Sequence, residues 1–246
     1  MATWAKNTEN IAVRPNGNLL VADLSTAELW EIDPSIPSSA HLVHHFNGAE
    51  DADRITELSP DIYAVIASNS VYTLDLRNYE YTPKSVLIAK LPAGYSNGIA
   101  ALDEGNAVAI TDSQLDLIWR LDIRTGEYTV ICQDETLTAN RDMGLLLGVN
   151  WLKILVNDYM YYTNSRKRIF CRVRIDMHKG RALGPYEIVI AGSKDPRDLM
   201  TATSAAFGRT ERDRNVPHIT TGGETKLPVN GTCTRGGEVM ALSVEF

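Results

Sequence analysis

The chain has little cysteine and no excess of positive charge. Cys132, Cys171 and Cys233 lie far apart, are odd in number and show no C-x-x-C spacing, so neither a disulfide framework nor a zinc site is implied. The expectation is reduced, structural thiols. Lysine and arginine number 24 against 31 aspartates and glutamates, and the basic residues are scattered. The electrostatic footprint of a nucleic-acid binder is therefore missing. No apolar run reaches the roughly 18 residues of a membrane helix, and residues 1–8 lack the apolar segment of a secretory signal. A soluble chain is expected, cytoplasmic as given and secreted only if a leader was removed; the sequon Asn230-Gly231-Thr232 matters only in the second case. H-E-x-x-H, Walker and G-x-G-x-x-G motifs are absent, and Gly94-Tyr95-Ser96-Asn97-Gly98 matches G-x-S-x-G with no helical pattern after it to make a nucleophile elbow, so nucleophilic hydrolysis and nucleotide chemistry lose support.

What is present is ordinary globular composition, 44% hydrophobic and 22% charged, arranged as a repeat. Five segments open with a polar pair and a short apolar stretch, starting at Glu9, Asp53, Asn97, Asn150 and Thr203. The starts are 44, 44, 53 and 53 residues apart, the spacing of a four-stranded propeller blade. Turn residues follow each opening, as in Pro15-Asn16-Gly17-Asn18 and Asp103-Glu104-Gly105-Asn106, and then a second apolar run. Third strands with period-two patterning recur at 29–33, 71–75, 118–122, 170–173 and 239–242. Fourth strands are expected at 41–46, 85–91, 128–133 and 186–191. The fifth module has none, and the stretch Ala2 to Lys6 is the candidate to complete it, removing an open edge. The expected fold is all-β, one propeller domain over residues 1–246, with five modules closed by pairing of the N- and C-terminal strands.

First strands of propeller blades line the central channel, so the aligned openings place Glu9, Asp53, Asn97, Asn150 and Thr203 at one level. Asn10, Arg54, Gly98, Trp151 and Ser204 lie beside them. Every member of the first set is polar, which costs free energy unless the groups are bonded or hydrated. The bland reading is that they cap strand starts; the functional one is a small-ligand site at a polar mouth. Trp151 has ordinary packing between blades as its own bland reading. His44-His45 cannot chelate one metal together, because neighbours on a strand point to opposite faces. His218 is expected in a second strand, and the charged run from Arg209 to Arg214 in a surface turn.

Residues 9–14, 16–21, 28–34, 96–98 and 203–210 (Thr-Ser-Ala-Ala-Phe-Gly-Arg-Thr) resemble the fungal branch of gluconolactonase/senescence-marker-protein-like propellers. Within it the chain is similar to the hetero-Diels–Alderases. The resemblance covers nearly the whole chain. It implies six blades and, in lactonase members, a divalent cation, often calcium, held by a Glu, two Asn and an Asp. Glu9, Asn97 and Asn150 match the Glu and the two Asn. The module that would carry the Asp has no room between Asn150 and Thr203, so the set is short of one ligand unless Asp53 substitutes, and no cofactor is expected.

Three readings compete. The leading one is a pericyclase of fungal secondary metabolism that holds a polyene and a quinone-methide-like partner for a hetero [4+2] addition. Arg54, Asn97 and Asn150 would be its donors, and Glu9, Asn10, Asp53, Trp151, Thr203 and Ser204 would contact substrate. The second is a metal-dependent lactone hydrolase, with Asp53 or Glu9 activating water. The third is a non-catalytic propeller that binds a small molecule or a protein. A small-molecule partner is expected, with no nucleic acid and no membrane; the sequence leaves oligomeric state open.

Overall fold

The computed structural model describes residues 8–33, 35–36, 38–78, 83–139, 147–155, 157–191, 202–207, 217–221 and 239–241. Their strands form five sheets of the propeller-blade kind, each with its strands side by side in chain order. Blade 1 holds β1 (Thr8–Val13), β2 (Leu19–Asp23), β3 (Glu28–Ile32) and β4 (His41–His45). Blade 2 holds β5 (Arg54–Ser59), β6 (Ile62–Ala67), β7 (Ser70–Asp75) and β8 (Lys84–Lys90). Blade 3 follows with β9 (Ser96–Leu102), β10 (Ala107–Asp112), β11 (Leu117–Asp122) and β12 (Tyr128–Gln133). Blade 4 is β13 (Val149–Ile154), β14 (Tyr159–Asn164), β15 (Ile169–Ile175) and β16 (Ala182–Ala191). The fifth sheet is β17 (Ala202–Phe207), β18 (Pro217–Thr221) and β19 (Val239–Ala241). Two short 3-10 turns, Asp103–Gly105 and Glu135–Leu137, are the helical segments among the described residues.

By compactness the chain divides into Met1–Ile110 with Arg120–Thr129, and Thr111–Trp119 with Val130–Phe246. In the first unit β1 lies beside β5 and β5 beside β9; in the second, β13 lies beside β17. First strands thus neighbour one another. In blades 1 to 4 burial is greatest in the second strand and falls from there to the outer strand. Second strands are almost wholly buried, and those of blades 2 and 3 carry small or β-branched residues, such as Ala64-Val65-Ile66-Ala67, that pack on both faces. Outer strands such as β8 and β12 are mostly exposed. The core of the first unit joins blades 1 and 2 through Leu20, Leu29, Phe46, Tyr63 and Leu74, all fully buried.

Turn chemistry repeats as faithfully as the strands do. At the ends of second strands, Asp23 accepts from the Ser25 N–H at 2.7 Å, Asp112 from Gln114 and Leu115, and Asn164 from Arg166 and Lys167. These turns close on Ala27, Asp116 and Arg168, at φ of 52°, 61° and 56°. Such left-handed residues provide the reversal a tight hairpin needs. At the ends of third strands, Asp33, Asp75, Asp122 and Asp176 accept from backbone N–H groups two residues on.

Several strand limits differ from the sequence expectation. β16 begins at Ala182 rather than Tyr186, because the register shifts between Val173 and Ile175 and so carries the strand past Pro185. Proline is tolerated at an exposed edge, where it has no ladder bond to lose. β15 spans Ile169–Ile175 rather than 170–173, and β4 ends at His45 because the Phe46 N–H turns to Ala27 O. The closing stretch Ala2 to Lys6 and the turn Arg209 to Arg214 lie outside the described residues.

Candidate functional site

The starts of the first strands of blades 2 and 3 carry a buried polar cluster. The loop into β5 is fixed by Ala52 N–H to Asp23 O at 3.1 Å and Asp53 N–H to Ile66 O at 3.0 Å. Asp53 therefore sits just before β5 and Arg54 opens it. The loop into β9 is pinned by Asn69, which accepts from the Ser96 N–H at 3.0 Å and donates to Ala93 O at 2.8 Å. Its own carbonyl takes the Leu91 N–H at 2.8 Å. Asn69 thus delivers Asn97 to Arg54.

Asn97 Oδ1 accepts from Arg54 Nε at 3.2 Å and Nη2 at 2.9 Å. Asp53 Oδ1 lies 3.6 Å from Arg54 Nε. Asp53, Arg54 and Asn97 are 2, 3 and 4% exposed, so the ion pair and both hydrogen bonds act in a poorly solvated setting where they are strong and where an uncompensated charge would be costly. With its oxygen committed to the guanidinium, the Asn97 amide has Nδ2 as its donor edge. Asn10 reaches from blade 1, its Oδ1 accepting from the Ile55 N–H at 3.3 Å.

The backbone sets the other aligned openings apart from ordinary strand. Register shifts fall between Thr8 and Asn10, between Val149 and Leu152, and between Ala202 and Ser204. Glu9, the pair Asn150-Trp151 and Thr203 therefore occupy bulges at the same point of three blades. Bulges recur where a strand must re-aim a side chain. The alignment of openings thus corresponds to a shared backbone feature, which no residue-type pattern announces. The side chains of Glu9, Thr203 and Ser204 lie outside the described residues. In the second unit Asn150 is buried, its Nδ2 donating to Ser165 Oγ at 2.9 Å and its carbonyl accepting from Thr111 Oγ1 at 2.6 Å. The Trp151 N–H donates to Thr163 Oγ1 at 3.3 Å.

The structure thus brings Asp53, Arg54 and Asn97 together, with Asn10 beside them, and holds Asn150 and Trp151 through partners of their own. Asn69, Thr111, Thr163 and Ser165 were not singled out in the sequence. A usable signal did exist, since an Asp or Asn ends the second strand or follows it in blades 1 to 4: Asp23, Asn69, Asp112 and Asn164.

A divalent cation fits this cluster poorly. The oxygen that Asn97 would offer a metal already accepts two guanidinium N–H groups. A doubly charged ion on that oxygen would lie about 5 Å from Arg54, a repulsion of about 7 kcal/mol at an effective dielectric near 20. Asp53 offsets only part of it. Among the described residues no three His, Cys, Asp or Glu side chains converge on a point. His44 meets Phe46 edge-on at 4.8 Å, while His45 Nδ1 lies 3.1 Å from Asn47 Oδ1, so the two imidazoles have separate partners.

Comparison with known proteins gives relatives but no family. No protein-family model matches the chain. A Phoma sp protein provisionally named a hetero-Diels-Alderase is 28% identical, the match covering 89% of this chain and 83% of that one. One of the same provisional name from Sarocladium schorii is 27% identical, covering 88% and 76%. Those matches extend over 296 and 308 aligned positions, more than this chain's 246 residues, so both relatives carry internal residues without a counterpart here. Among solved structures, the calcium-binding protein regucalcin from Agrobacterium tumefaciens superposes with a TM-score of 0.61 at 14% identity, over 89% of this chain and 69% of that one. Virginiamycin B lyase from Staphylococcus aureus gives 0.60 at 13%, over 97% and 71%. Both are β-propellers, and that is the fold of this chain. No helix among the described residues is long and apolar enough to cross a membrane.

Proposed function

We propose that the chain is an enzyme that binds small apolar substrates beside Arg54 and Asn97 and accelerates a hetero [4+2] cycloaddition. One observation carries the reading: a buried, preorganised donor set, in which Asp53 balances Arg54 and Arg54 fixes Asn97. A concerted addition forms two bonds without a nucleophile or a proton carrier. A protein speeds it by holding the partners in register and by hydrogen-bonding the oxygen of the electron-poor partner as charge builds there. The provisional names of the two sequence relatives supply the reaction class.

Asn97 Nδ2 is the donor assigned to that oxygen, and Arg54 supplies the positive field. Acceleration by one such donor is worth about 10²-fold. The test is to generate an ortho-quinone methide in solution with a cyclic polyene, with and without the purified chain. A raised rate and a single enantiomer of adduct are expected. An unchanged rate and a racemic adduct sink the reading.

A further inference from the structure

The start of β9 holds a group that the proposed reaction leaves unused. Ser96 is the central residue of Gly94-Tyr95-Ser96-Asn97-Gly98 and is 1% exposed. Its N–H donates to Asn69 Oδ1 at 3.0 Å, but its hydroxyl is buried with no hydrogen-bond partner among the described residues. We infer that Ser96 is a further ligand-contacting residue, whose hydroxyl is kept for a hydroxyl or carbonyl oxygen of the substrate. That this ligand is the cycloaddition substrate rests on the proposed activity; that the hydroxyl serves a ligand does not.

Burial without a partner is costly for a hydroxyl, which gives up its hydrogen bonds to water and gains none. Alanine would fill the position without that cost, so stability does not account for a serine here. Asn69 holds the backbone on which the hydroxyl rides, through Leu91 N–H, Ala93 O and Ser96 N–H, which leaves Oγ only rotation about χ1. Nucleophilic catalysis does not account for it either. An attacking serine passes its proton to a base bonded to its oxygen, and no described group is bonded to Ser96 Oγ. A neutral hydroxyl both donates and accepts, which suits an oxygen-bearing neutral group. Neighbours on a strand point to opposite faces, so Ser96, the first residue of β9, and Asn97 would hold different atoms of one ligand at the strand start.

The test compares Ser96→Ala with the wild type in the full chain. Three quantities are read: the ligand-free Tm, kcat/KM for the ortho-quinone methide reaction, and the rise in Tm with millimolar 2-hydroxyacetophenone, a stable aromatic that carries both a hydroxyl and a carbonyl. The variant should melt at the wild-type temperature or above, because it loses an unbonded hydroxyl. Its kcat/KM should fall about 3- to 10-fold, the effect of one neutral hydrogen bond to the ligand. The saturable rise in Tm that the probe gives the wild type should shrink, since a ligand bound only by the native state raises Tm. A lower ligand-free Tm in Ser96→Ala would show that water or a protein group already holds the hydroxyl, and would overturn the inference. With an active wild type, an unchanged kcat/KM in the variant would overturn it as well. Should the wild type accelerate nothing, the proposed activity fails and the probe decides: a wild-type shift diminished in Ser96→Ala upholds the hydroxyl's role, and an equal shift in both, or none in the wild type, ends it.

Discussion

Arg14 leaves the end of the first strand of blade 1 and donates from Nε to Asp61 Oδ1 in the first turn of blade 2, at 2.9 Å. The same guanidinium donates from Nη1 to Glu31 at 2.8 Å and from Nη2 to Leu76 O at 3.1 Å. Burial alone would lower its pKa, but the bonds to Asp61 and Glu31 outweigh this and hold it above the usual arginine value. Two blades are thereby fastened at the ends of their first strands, away from the starts that carry the candidate site.

Arg14→Met should therefore destabilise the chain by about 3–5 kcal/mol, read from the urea midpoint, because Glu31 at 2% exposure would lose its cation. Pairing it with Glu31→Met should restore most of the loss, since an apolar pair removes both desolvation costs. A midpoint unchanged in Arg14→Met would show that the bridge is dispensable.

Acid should weaken the fold through the third-strand turns. Hydrogen bonds from the Ser35 side chain to Asp33, and from the Thr125 and Lys179 N–H groups to Asp122 and Asp176, hold those carboxyls below the usual range. The Arg77 side chain brings Asp75 to about 2. A carboxyl depressed in the folded state contributes stability that is present above the unfolded value of about 3.9 and lost as pH falls through the folded one. Tm should decline between about pH 4 and pH 2. Asp75→Asn keeps the turn acceptor for the Arg77 N–H but loses the ion pair with its side chain, so it should lower Tm at neutral pH and flatten that decline.

Two glycines should fail for different reasons. A Cβ on Gly148 would lie 2.4 Å from Leu137 O, 2.7 Å from Ala139 N and 2.8 Å from Asp116 Oδ1; Gly148→Ala should cost about 1–3 kcal/mol or more. Gly17 has open space but φ of +89°, so Gly17→Ala should cost only about 1 kcal/mol. Thermal melts separate the causes: Asn, which tolerates the left-handed region, should recover most of the loss at position 17 and worsen it at 148.

Neither described cysteine should react in the native state. Burial pushes the Cys171 thiol up to about 12 and raises that of Cys132, and both are buried and free of disulfide. Cys233 lies outside the described residues, so the measurement uses Cys233→Ser. Iodoacetamide at pH 8 should label no thiol in the folded variant and two in urea. Fast native labelling would contradict the burial.

Much of the fold was legible because blade order is written in local chemistry. The polar openings, the turns around Gly17, Asp61 and Gly105, and the alternation of Ile118 to Asp122 each act within a few residues. The ends of β16 were not, because passage through Pro185 depends on which edge of the sheet faces out. In the candidate site, Asp53, Arg54 and Asn97 could be named from their alignment, but their mutual bonding could not. Asn69 escaped notice because its partners Ala93 and Ser96 are 24 and 27 residues away.

The sequence by itself determined the strand period, the turn residues and the list of polar openings, since these rest on backbone preferences that neighbouring residues express together. Only the tertiary structure decided that Arg54 takes the oxygen of Asn97, 43 residues distant, and that Glu9, Asn150-Trp151 and Thr203 fall on bulges. Pairing across such separations depends on strand register and side-chain direction, which are set when neighbouring blades pack and not by any local pattern.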